Sequence, residues 1–148
     1  MKTIDLLRQQ APALAERIET TGESDLQKLA WAAARAAVER TGLSDPLIDQ
    51  ALQRALPDAE LQAQVQALAG KLDDDYFALK EPLEDREDAG KTDPQVSLAF
   101  SSARAASAVA EALGDDAKEA AASAAYEAFA ATDDSQYLTD VLGRSLAR

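Results

Sequence analysis

Apolar residues return at helical intervals along most of the chain, broken by short polar stretches that carry helix-start chemistry. Ile4, Leu7, Ala11, Leu14 and Ile18 predict a first helix over Thr3–Thr20, with Pro12 set to kink it or to start a second segment, and Thr21–Gly22 closing it. Ser24 followed by Gln27 has the form of a capping box and predicts a helix that ends near Gly42. Its apolar positions include Leu26, Leu29, Ala30, Trp31, Ala34, Ala37 and Val38 and cover nearly the whole circumference, as in a helix buried at the centre of a bundle. Ser44-Asp45-Pro46 supplies a capping side chain, an acid for the positive end of the dipole and a proline for the first turn, so a helix should follow through Leu47, Ile48, Leu52 and Leu56. After Pro57-Asp58, the stripe Leu61, Val65, Leu68 and Ala69 predicts another helix, stopped by Gly70.

From Lys71 to Asp93 acids dominate, with Tyr76, Phe77 and Leu79 among them. This segment reads as a short helical turn around Asp74–Lys80, then an extended loop that Pro82 and Gly90 keep out of a long helix. Thr92-Asp93-Pro94 opens a second strongly apolar helix, running from Val96 to Leu113 and ended by Gly114. Asp115-Asp116 and Thr132-Asp133 then cap two more helices, the first bearing Ala117 to Phe129 and the second Tyr137 to Leu146. No stretch alternates apolar and polar residues with β-branched enrichment, so no strand is expected. The pattern as a whole predicts an all-α, single-domain bundle of six to seven helices spanning residues 1–148.

Leu29–Ala37 (LAWAAARAA) and Leu98–Ala106 (LAFSSARAA) share one nine-residue pattern, with an aromatic facing an aromatic and serine replacing alanine twice. The match suggests two related three-helix units, residues 24–70 and 93–146, joined by the acidic segment 71–92. It also puts a lone arginine, Arg35 or Arg104, inside each of the two most apolar stretches. Such an arginine needs a carboxylate partner, or must lay its stem along the core with its head at the edge, and a ligand is the alternative. Trp31, Phe100, Tyr126 and Phe129, at helical spacing among alanines, read as core.

Composition narrows the chemistry. The formal charge is −12, from 27 acidic and 15 basic residues, which argues against nucleic acid or an anionic membrane as partner and favours a basic one. The chain has no cysteine and no histidine, so it lacks thiolate nucleophiles, zinc–sulfur sites and the usual general base. No apolar run is long enough to span a bilayer, no leader is evident, and a cytoplasmic location is the expectation.

The residues singled out as a partner-binding surface are Asp73, Asp74, Asp75, Tyr76, Phe77, Glu81, Glu84, Asp85, Glu87 and Asp88. Aromatics bordered by carboxylates suit docking on a basic protein, although Tyr76 and Phe77 would equally serve to anchor the segment to the bundle. Asp73-Asp74-Asp75 resembles the aspartate-rich magnesium motifs of helical prenyl-transferring enzymes, and Glu84 with Glu87 resembles the Glu-x-x-Glu of small helical nucleotide pyrophosphatases. Both families need a second acidic motif that this chain does not offer in suitable form, so a carboxylate–metal phosphohydrolase ranks third among the readings and no metal or cofactor is expected.

The order of a Trp-bearing alanine helix, a second amphipathic helix, a charged connection and two alanine-rich helices, from Asp25 to about Ala131, resembles the small all-helical immunity proteins encoded beside bacterial polymorphic and contact-dependent toxins. Members of that family carry Cys and His among these alanines and this chain carries neither, so no site residue carries over. The resemblance implies a non-catalytic inhibitor that binds a cognate toxin in the producing cell. A helical scaffold or adaptor for a peptide or protein partner is the second reading.

Overall fold

The computed structural model describes residues 2–84 and 93–147, leaving aside the side chains of residues 83 and 84. Among the described residues the chain is all-helical and has no strand. Eight helices follow one another: α1 (Thr3–Gln10), α2 (Pro12–Glu19), α3 (Glu23–Thr41), α4 (Pro46–Arg54), α5 (Ala59–Glu84), α6 (Pro94–Ala112), α7 (Ala117–Thr132) and α8 (Ser135–Leu146). The count exceeds the expected six to seven because Pro12 separates α1 from α2. Proline disfavours the helical conformation at the residue before it, and Ala11 sits at φ −145° and ψ 72°.

Acidic caps set most of the remaining boundaries. Asp45 accepts from the Leu47 N–H at 2.8 Å, Asp58 from that of Leu61 at 2.9 Å, and Asp116 from that of Glu119 at 3.1 Å. Asp93 accepts from both Gln95 and Val96 at the head of α6. Each answers an N–H that a helix start leaves without an intrahelical partner. Two expected caps differ. The Ser24–Gln27 box is not used, because α3 begins at Glu23 with extended Gly22 as its N-cap and no side-chain acceptor. The last helix is capped by Asp134 through the Tyr137 N–H, while Asp133 ends α7 in the left-handed region at φ 51°. The α4 helix also stops short of Leu56, because Ala55 turns left-handed at φ 50°.

The largest departure is α5. The helix runs through Gly70 and on past Tyr76 to Glu84, with Pro82 in its last turn. A single interior glycine costs only about 1 kcal/mol relative to alanine, and the partner helix α6 is long enough to repay it. The two lie antiparallel, joined by the Asp58 N–H to the Leu113 carbonyl (3.1 Å), by Gln62 Nε2 to the Ala110 carbonyl (2.8 Å) and, farther out, by Asp73 and Arg104. The acidic segment up to Glu84 is therefore the outer half of a long helix rather than a short turn and a loop; residues 85–92 lie outside the described residues.

Helices α3, α6 and α7 pack mutually at the centre, with α5 against α6 and α8 against α3. Their contact surfaces are alanine: Ala30, Ala33, Ala34 and Ala37 of α3, Ala105, Ala106 and Ala108 of α6, and Ala124, Ala125 and Ala128 of α7 are all sealed from solvent. The side chains at a contact set the distance between helix axes, so alanine faces favour close approach. Larger groups fill the periphery, among them Leu7, Leu14, Ile18, Ile48, Leu138 and Leu142, all fully buried. The two helices that share the nine-residue pattern have equal length and lie side by side, yet their outer neighbours differ, α8 for α3 and α5 for α6.

Candidate functional site

Burial along α6 changes at its middle. From Ala103 onward most positions are buried, whereas Pro94 to Ser102 are exposed or half-buried. The outer half of α5 lies along this less covered end. Among the described residues, five large apolar side chains are exposed, and four of them fall here: Phe77 and Leu79 on α5, Leu98 and Phe100 on α6. Half-buried Tyr76 links the two helices. Its ring meets Phe100 edge-on at 5.4 Å and Phe77 at 5.1 Å, and the Lys80 ammonium lies 5.7 Å from its centroid. Tyr76 and Phe100 also wall a 670 Å³ groove that extends to Val96 and Phe129.

Beneath the aromatic row sits an ion-pair node. Arg104 Nη2 reaches both carboxylate oxygens of Asp73 at 2.8 Å, and Nη1 donates to Glu127 on α7 at 2.9 Å. Burial works against the guanidinium's charge, but the attraction of Glu127 and the bonds to Asp73 outweigh it and hold its pKa above the ordinary value. Burial likewise lifts Glu127, with Arg104 opposing the shift only in part. Glu111, a few turns along α6, is raised by burial and then by repulsion from Glu127 and Glu119.

The expected partner-binding residues divide accordingly. Asp73 is tied inward to Arg104 as a strut between α5 and α6. Asp74, Asp75 and Glu81 are exposed on α5, Phe77 stands 58% exposed, and Tyr76 is half-buried. Glu84 ends α5, and Asp85, Glu87 and Asp88 lie outside the described residues. Among the described residues no three Asp, Glu, His or Cys side chains are placed to hold a metal ion. Phe100 is corrected from core to surface: at 37% exposure it belongs to the aromatic row with Tyr76, because the first half of α6 lacks the cover that its second half has. Leu79, Leu98 and Phe100 were missed as surface groups; the one signal beside the latter two was the pair Ser101 and Ser102, which stand where the matching stretch of α3 has Ala32 and Ala33.

The paired arginines part company. Arg104 has the two carboxylates just described. Arg35 is exposed, donates to the Leu52 carbonyl near the end of α4 at 2.9 Å, and has no carboxylate partner among the described residues. No helix of the described chain is long and apolar enough to cross a membrane. Comparison with protein-family models, with curated proteins and with solved structures gives no match.

Proposed function

We propose that this chain is a non-catalytic, acidic binding protein, an immunity protein that neutralises a cognate bacterial toxin by direct docking. The observation that carries the reading is the outer α5–α6 face: Phe77 and Phe100 exposed on either side of Tyr76, with Asp74, Asp75 and Glu81 exposed on the same stretch of α5. Large apolar groups held rigidly at a surface cost free energy unless a partner covers them, and aromatic anchors with a charged border are the usual anatomy of a binding patch. The carboxylates select a basic partner. Inhibition then follows from occupancy, because a face that fills a toxin's cleft needs no chemistry of its own.

The reading requires a toxin gene beside this chain's own gene, and the test is to sequence that neighbourhood and co-express the two; a neighbourhood with no toxin gene would count against the reading. Cells should survive the toxin when the native chain is present and lose that protection with the Phe77→Ala/Phe100→Ala variant, whose folding is checked by circular dichroism. Survival without formation of a complex between the two purified proteins, or protection unchanged by the double variant, would overturn the docking mode.

A further inference from the structure

On the other side of the central helices, α3 and α8 enclose a cleft of about 780 Å³, within the range of small-molecule sites. Its walls are unusual for so acidic a chain. Lys28 and Arg35 of α3 and Arg144 of α8 line it, against a single carboxylate, Glu39. Its apolar surface comes from Trp31 and Tyr137 with neighbouring alanines and Val141. Trp31 is 6% exposed and its indole N–H is sealed from solvent, so the part of the ring open to the cleft is carbon. Tyr137 is held in place by Arg40, whose guanidinium lies 3.9 Å over the ring.

The cations are poorly satisfied by the protein itself. Arg144 has no side-chain hydrogen bond or ion pair among the described residues, and Arg35 spends one bond on the Leu52 carbonyl. Lys28 is shared with Asp25 at 3.3 Å, both side chains being well exposed. Two guanidinium forks with free donors at the mouth of an aromatic-walled cleft match a carboxylate attached to an apolar body. The net charge of −12 disfavours anions at long range, but screening over about 8 Å at physiological ionic strength leaves the local cluster to decide.

We propose that the α3–α8 cleft is a binding site for a small organic carboxylate, its aryl or alkyl body lying against Trp31 and Tyr137 and its carboxylate between Arg35 and Arg144. The site is independent of the outer α5–α6 face. It also gives the two matching arginines separate duties, Arg104 as an internal tie and Arg35 as a ligand contact.

The experiment titrates the full chain with 4-phenylbutyrate, and with 4-phenylbutanol and 4-phenylbutylamine as neutral and cationic counterparts. Trp31, the chain's single tryptophan, reports by fluorescence, and backbone amide shifts locate the response. The acid should bind saturably with shifts confined to α3 and α8, and the alcohol and amine should not saturate. Arg144→Met, which breaks no side-chain hydrogen bond or ion pair among the described residues, should weaken binding about tenfold, the worth of one charge-assisted hydrogen bond. Arg35→Met should weaken it similarly, with circular dichroism checking that α4 survives loss of the Leu52 bond. Equal binding of all three probes, no saturation at millimolar acid, or affinity unchanged in Arg144→Met would overturn the proposal. So would binding of a hexaglutamate peptide without binding of phenylbutyrate, which would make the cleft a protein-docking groove.

Discussion

Glu111 and Glu127 sit on facing helices with their charges partly desolvated, yet only Glu127 has a cation to answer it. Glu111 is raised by burial and by two neighbouring carboxylates, with nothing opposing. A carboxyl whose folded-state pKa exceeds its unfolded value, about 4.3 for glutamate, binds its proton more tightly when folded. Stability therefore falls as pH rises from the unfolded value through the raised one, and the cost is present in full above it. Glu111→Gln removes the ionisation and keeps the shape. It should raise stability at neutral pH, read as a higher Tm, with the gain vanishing near pH 4, about where the unfolded carboxyl titrates. Thermal melts of both proteins across that range check it; a gain that persisted at low pH would place its origin in packing. The same substitution at Glu127 lacks this simple sign, because it also weakens the tie to Arg104. The sequence placed Arg104 in an apolar helix and left open a carboxylate partner, a head at the edge of the core or a ligand; only the antiparallel overlap of α5 and α6 shows that it is paired, and that one partner is Asp73.

Helix boundaries were legible at Asp45, Asp93 and Asp116, where a single acid does the capping, because that chemistry is local, and were off by one residue at the last helix, where Asp134 caps in place of the expected Asp133. They were misread where tertiary packing outweighed a local signal. Gly70 has the look of a stop, yet it lies within α5, exposed, at a backbone angle open to any residue, with nothing beyond its own stretch of helix backbone within 4 Å of where a Cβ would stand. Its cost is conformational freedom in the unfolded chain. Gly70→Ala should accordingly stabilise the protein by about 0.5–1 kcal/mol, read as a higher urea midpoint with an unchanged m-value. A loss of stability instead would mean that α5 does not continue as a helix through this residue in solution. Extended α5 carries Asp74, Asp75, Phe77 and Leu79 outward with it, so the helix that the sequence divided at Gly70 is the element that builds the candidate interface.

Across the whole molecule, charge and exposed apolar surface are arranged unevenly. Carboxylates and aromatics share the outer α5–α6 face, while the cations Lys28, Arg35 and Arg144 gather at the α3–α8 cleft. Periodicity foretold an all-helical bundle with alanine at its centre, while the basic partner that composition suggests belongs to the proposal. Neither foretold that α6 runs past its cover and leaves Leu98 and Phe100 exposed, because two serines in place of alanines are a weak signal beside the apolar pattern that the two helices share. This arrangement separates the two contributions to docking. Exposed carboxylates act over distance and steer encounter, whereas aromatic anchors act only once in contact. Against a basic partner, the association rate should fall steeply as ionic strength rises, and Asp74→Asn/Asp75→Asn should flatten that dependence while changing dissociation little. Phe77→Ala should leave the association rate nearly unchanged and speed dissociation by about thirtyfold, the equivalent of a hot-spot loss of about 2 kcal/mol. Surface-plasmon kinetics at several salt concentrations measure both. An association rate indifferent to salt, together with a dissociation rate indifferent to Phe77, would remove the outer α5–α6 face from the interface.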